Sequence, residues 1–155
     1  MSTFDLENPK PLVGDSLRDE TANLLSVRFG RPTREDLVMG KKVDLHFIKV
    51  EFGKTTHIFV ETKDYAKPLT REQVKGIWAD YSGLVDRHQP AFLLLVTRNG
   101  LASGAQAYVN AEQSNLRHQT IWELENETLG LADYVRHLAG LFDHDGLSQY
   151  YIEST

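Results

Sequence analysis

Seven residues past the middle of the chain, Ala91-Phe92-Leu93-Leu94-Leu95-Val96-Thr97, are apolar at every position up to the closing threonine. Strand side chains point to alternate faces of a sheet, so a run without polar alternation needs cover on both sides. The run is too short for a buried helix, and the turn signals Gln89-Pro90 and Asn99-Gly100 bracket it. A strand of this kind sits at the centre of a sheet with helices on both faces, and the rest of the chain must supply them.

The sequence offers four such helices. Asp15 or Ser16 can cap one running to about Phe29, with Leu17, Leu24, Leu25 and Val27 partly buried, and Gly30-Arg31-Pro32-Thr33-Arg34 ends it. Thr70-Arg71-Glu72-Gln73 has the spacing of a capping box, and Val74, Ile77, Trp78, Tyr81, Leu84 and Val85 follow at helical intervals. Residues 102 to about 114 are helix-compatible, and Leu131, Tyr134, Val135, Leu138, Leu141 and Phe142 mark a last amphipathic helix. Between these two, residues 118–124 read as a strand. The order implies an α/β sandwich around a mixed sheet. A length of 155 residues suits one domain. Residues 1–14 read as an irregular lead-in, 15–142 as the domain, and 143–155 as a tail or a junction to a following domain.

A hairpin precedes the capped helix. Lys42 to Val50 and His57 to Lys63 are strand-like, and Phe52-Gly53-Lys54-Thr55 lies between them. The first strand reads as continuous with Leu37-Val38-Met39, with a bulge at Gly40. If Gly53-Lys54 are the turn residues, Asp44 lies opposite Lys63 and His46 opposite Glu61. All four then share one face, and a shift by one residue would send Asp44 to the other. Two carboxylates and a lysine at the open end of a hairpin cost desolvation energy unless they pair, meet water or bind a metal.

Asp44, then Glu61-Thr62-Lys63 after a hairpin, then a helix carrying Gln73, resembles the PD-(D/E)XK, or restriction-endonuclease-like, nuclease superfamily. The resemblance covers roughly residues 15–125 and rests on the order of elements. One position departs from the pattern: Val43 stands in place of the motif's proline, which is often absent in the superfamily. The resemblance implies a restriction-endonuclease-like α/β/α sandwich and metal-dependent hydrolysis of phosphodiesters, DNA in preference to RNA. It also implies Mg²⁺ (or Mn²⁺) held by Asp44, Glu61 and the carbonyl of Thr62. Lys63 would orient or activate the attacking water and offset developing charge. Alanine at Asp44, Glu61 or Lys63 is expected to leave the melting temperature similar or higher, since apposed carboxylates repel. Glu20 is either a first-helix carboxylate near the metal or a surface residue favoured by the helix dipole. Gln73 is either a helix cap or a side chain pointing at the site. His46 faces the site, as a packed neighbour or as a contact to metal or substrate. The same fold without catalysis would serve as a nucleic-acid-binding or assembly module.

Charge bears on the partner. The net charge is −5, yet residues 28–75 hold eleven Lys/Arg against seven Asp/Glu, and residues 91–155 hold three against eight. A basic region around an acidic site on an acidic body is compatible with a nuclease, as is an ordinary solvated surface. Arg28, Arg31, Arg34, Lys67 and Arg71 are the candidates for phosphate contact. There is no cysteine, which excludes disulfides and thiolate metal sites and fits a reducing cytoplasm. No apolar run approaches the ~20 residues that cross a membrane, so a membrane is not expected as a partner. Tyr150-Tyr151-Ile152 loosely resembles the junction after effector nuclease domains of NTPase-linked bacterial defence proteins. That would imply an antiviral domain active in a homo-oligomer and followed by an NTPase.

Overall fold

A computed structural model describes residues 9–38, 40–112 and 115–143; the expectations placed on residues 144–155 lie outside them. The elements run α1 (Pro9–Phe29), β1 (Thr33–Val38), β2 (Lys41–Glu51), β3 (Lys54–Lys63), α2 (Arg71–Arg87), β4 (Ala91–Thr97), α3 (Ser103–Ala111), β5 (Leu116–Thr120) and α4 (Ile121–Asp143). The five strands form one sheet in sequence order. β1, β2 and β3 pair antiparallel, and β3, β4 and β5 pair parallel, so the sheet is mixed. The chain divides into two compact units, Met1–Leu124 and Glu125–Thr155. The first holds the sheet. In the second, α4 continues with Leu129, Leu131, Tyr134, Val135 and Leu138 exposed.

β4 occupies the place its composition demands. Leu93 and Leu95 join Phe59, Val74, Tyr81, Leu84, Val85 and Ala105 in a core beneath α2 and α3. Leu94 and Val96 join Leu17, Leu25, Phe47, Ile58 and Val60 in a second core, beneath α1 and the first turn of α4. Each such side chain contributes about 1.5–3 kcal/mol on burial, and alternation along β4 feeds both layers.

Four local expectations are corrected. The segment read as one bulged strand is two: Val38 pairs with Lys41, and Gly40, at φ +83°, sits in the turn between β1 and β2. The β2–β3 turn is Phe52-Gly53, both at positive φ (53° and 76°), with Glu51 paired to Lys54. Such a turn matches the twist of its flanking strands. α1 begins at Pro9, ahead of the cap expected at Asp15 or Ser16. The strand expected over 118–124 ends at Thr120, because Thr120 and Glu123 form a reciprocal cap: Thr120 N–H donates to Glu123 Oε1 (2.8 Å) and Glu123 N–H to Thr120 Oγ1 (3.1 Å). α4 starts there, ten residues before Leu131.

Candidate active site

The register sets Leu45 opposite Val60 and His46 opposite Phe59, two residues away from the pairing expected. A slip of two preserves parity, and the charged residues still gather at the end of the hairpin. Asp44 is fixed by Thr62, whose N–H (3.0 Å) and Oγ1 (3.2 Å) both donate to its Oδ2. Among the described residues nothing donates to Asp44 Oδ1. Side-chain alternation breaks here: Val43 packs in the core beneath α2, whereas Leu45 and Phe47 pack beneath α1. The β2–β3 pairing also ends at Leu45, which frees Asp44 to turn toward Thr62.

Glu61 lies on the α2 side of β3. Its Oε1 accepts from the hydroxyl of Tyr81 at 2.6 Å, and its Oε2 is 3.1 Å from Lys63 Nζ. The glutamate is 14% exposed and the lysine 28%. Burial acts to lower the Lys63 pKa, but the charge and hydrogen bond of Glu61, with Tyr65 and Asp44, outweigh it, and the net direction is up. Lys63 is therefore held as an ammonium. Burial first, then Glu61 and Asp44, push the Tyr81 phenol far up as well, so it stays a proton donor to the carboxylate. Sequence reading took Tyr81 only as a core residue. The signal for more was there, since a tyrosine on the buried face of a helix needs a partner for its hydroxyl. Lys41, 4.7 Å from the centre of the Tyr81 ring and 3.9 Å from Asp80, is a further cation on this flank.

The other candidates scatter. Gln73 Oε1 accepts from Thr70 N–H (2.8 Å) and its own N–H donates to Thr70 Oγ1 (3.2 Å), a complete capping box. Glu20 pairs with Arg98 (3.1 Å), which also grips Asp64 (3.0 Å), the residue after Lys63. Neither Arg98 nor Asp64 was singled out by sequence. His46 lies within a ring stack rather than opposite Glu61: its centroid is 4.7 Å from Phe59, and its Nε2 is 3.0 Å from His57 Nδ1. Lys67 lies in the loop after β3 and Arg71 in the first turn of α2, both exposed. Arg28 lines a cleft with Ala91, at the opposite end of β4 from Thr97, and Arg31 lines a recess with Asn23 and Ser26. These two arginines do not converge with Lys63. Arg34 pairs through its backbone with Leu45, and its side chain is outside the described residues.

Two histidines are expected to make the fold acid-sensitive. Burial, then His46 and His88, lower the His57 pKa below its ordinary 6.5, and burial lowers that of His118 despite Glu123. Below about pH 6.5 the unfolded chain then binds more protons than the folded one, so stability falls with pH. The melting temperature is expected to drop from about pH 7 to about pH 5, and a His57→Gln variant should show a shallower drop. Parallel curves for the two proteins would count against this origin.

Among the described residues no three His, Asp, Glu or Cys side chains are placed to hold a metal ion together. The oxygen donors at hand are the two carboxylates and main-chain carbonyls. Mg²⁺ is commonly bound by one or two carboxylates and keeps several waters, so this donor set fits it.

No family model matches the chain, and no curated protein does. Solved structures do. The MspJI restriction endonuclease in complex with a 27-mer oligonucleotide is 14% identical, with 78% of this chain and 28% of that one covered, at a TM-score of 0.50. The DNA modification-dependent restriction endonuclease AspBHI is also 14% identical, covering 76% and 30%, at 0.50. A repair endonuclease from Pyrococcus abyssi is 19% identical, covering 66% and 45%, at 0.48. The likeness to the two restriction endonucleases makes the fold restriction-endonuclease-like, an α/β sandwich around a mixed sheet. This chain spans less than half the length of each of these proteins.

Proposed function

We propose that the chain is a metal-dependent endonuclease that hydrolyses phosphodiester bonds, DNA in preference to RNA. The observation that carries this reading is the Glu61–Lys63 pair beside Asp44 at the end of the β2–β3 hairpin, on a restriction-endonuclease-like sheet. Asp44, Glu61 and the Thr62 carbonyl would hold Mg²⁺ or Mn²⁺. When bound, the cation supplies positive charge to phosphate oxygens and makes water a stronger nucleophile. Thr62 fixes the Asp44 carboxylate, and Tyr81 fixes that of Glu61, so neither needs to reorganise when substrate arrives. Lys63 brings a fixed positive charge, and its ammonium donates to a phosphate oxygen as negative charge builds there. Lys67 and Arg71 would meet the phosphate backbone around the site.

The test is incubation of the chain with plasmid DNA and with RNA, in Mg²⁺, in Mn²⁺ and in a chelator. Cleavage that needs the metal and favours DNA is expected. Binding of DNA without cleavage in either metal would overturn the proposal in favour of a non-catalytic module.

A further inference from the structure

At the end of the sheet away from Lys63, the start of β4 opens onto a cleft of about 470 Å³. Arg28, Lys49 and Arg117 reach it from α1, β2 and β5, and among the described residues no Asp or Glu lines it. Each cation has a local setting. Arg28 closes α1, where the helix dipole favours positive charge, with its guanidinium carbon 5.3 Å from the centre of the Phe29 ring. The guanidinium of Arg117 lies 3.9 Å over Phe92. Lys49 is 3.7 Å from Glu51, which stands outside the lining. Three cations from three elements line one concavity whose described lining holds no carboxylate, a setting that favours an anion.

Shape and aromatic content narrow the anion. The volume falls in the range of small-ligand sites, roughly 300–1,000 Å³. Phe29 and Phe92 are half-buried in the wall, and arginine planes over aromatic rings are surfaces on which nucleobases stack. Ile58 lines the cleft from the α1 side of β3, whereas Glu61 and Lys63 lie further along the strand on its α2 side, so the cleft and the candidate active site open on opposite faces of the sheet.

We propose that this cleft is a second phosphate-binding site. It takes a phosphorylated nucleoside, with the phosphate among Arg28, Lys49 and Arg117 and the base on the Arg117–Phe92 stack. The nucleotide comes either from a nucleic-acid strand that passes the cleft or from a free nucleotide in solution, and neither source depends on the nuclease reading.

The experiment titrates the whole chain, in chelator so that nothing is cleaved, with adenosine 5′-monophosphate and with a single strand of about twelve nucleotides. Backbone amide shifts are followed in the wild-type protein at Thr56, Phe92 and Asn115, and affinity is compared with a Lys49→Gln/Arg117→Gln variant. Saturable shifts at these amides are expected, with affinity reduced about fivefold or more in the variant. For the single strand, the slope of log affinity against log salt should fall by about 0.7 per charge removed. A response to the monophosphate assigns the site to free nucleotide; a response to the strand alone assigns it to a nucleic-acid strand. Silence at all three amides with both ligands overturns the proposal, whatever the variant does. Failure of metal-dependent cleavage would leave these shifts unchanged, so the two readings fail separately.

Discussion

Lys63→Ala is expected to reduce the proposed metal-dependent cleavage by about 10²–10⁴-fold, the range lost when a single proton-handling or charge-stabilising group is removed. The substitution deletes the ammonium 3.1 Å from Glu61 and leaves the carboxylate held by Tyr81 alone. Glu61→Ala is expected to be as damaging to cleavage and to differ in stability. It strips the acceptor from the Tyr81 hydroxyl, on a residue only 1% exposed, and an orphaned buried donor costs about 1–3 kcal/mol. A lower melting temperature is therefore expected, against the similar or higher value that repulsion between bare carboxylates would give. Glu61→Gln keeps an acceptor and should melt near the wild type while remaining inactive. Plasmid nicking and thermal melts of the three variants check these outcomes together. A Glu61→Ala protein that cleaves at the wild-type rate would end the assignment.

Arg98→Ala is the substitution with the largest expected effect on stability. Arg98 joins the end of β3, through Asp64, to α1, through Glu20, and its carbonyl accepts from Trp122 Nε1 at 3.1 Å. The Asp64 side chain is 8% exposed, and its Oδ2 is buried with no partner among the described residues. Without Arg98 that carboxylate is left buried and uncompensated, a loss of about 3–5 kcal/mol. At roughly 2–4 °C per kcal/mol for a chain of this size, the melting temperature falls by roughly 6–20 °C. Arg98→Lys restores only part, because an ammonium is a point charge where the guanidinium is a fork serving two carboxylates. Adding Asp64→Asn to Arg98→Ala should recover stability. An Arg98→Ala protein melting within about 1 °C of wild type would show that the clasp carries no weight.

The architecture was legible where one physical demand governs a segment. An unbroken apolar run can only be a strand covered on both faces, and Thr70-x-x-Gln73 before an apolar helical stripe can only start a helix economically. The hairpin was readable for a subtler reason: the turn was misplaced, since a phenylalanine at positive φ is uncommon, yet the error of two residues kept the faces. β1, with the sequence TREDLV, has no apolar alternation to announce it. Thr120-x-x-Glu123 was present as a cap signal but sat within a β-branched and aromatic run that outvoted it. The Glu20–Arg98–Asp64 clasp joins residues 78 and 34 positions apart, and no local pattern encodes such a meeting. Arg28 shares α1 with Glu20, but eight residues, about 12 Å of helix, separate them, and the two reach different ends of the sheet.

The two-residue turn at Phe52-Gly53 has a consequence for the order in which the molecule is made. Asp44, Glu61, Thr62 and Lys63 all belong to the one hairpin it closes, and hairpins form in about 1–10 µs. β4 and β5 join in parallel, so each must wait for a helical crossover and the slower closure of a longer loop. The opposed charges thus meet while still in water, where their attraction and repulsion are both weak. Docking of α2, which brings Tyr81 to Glu61, would then be the step that draws the carboxylate out of solvent.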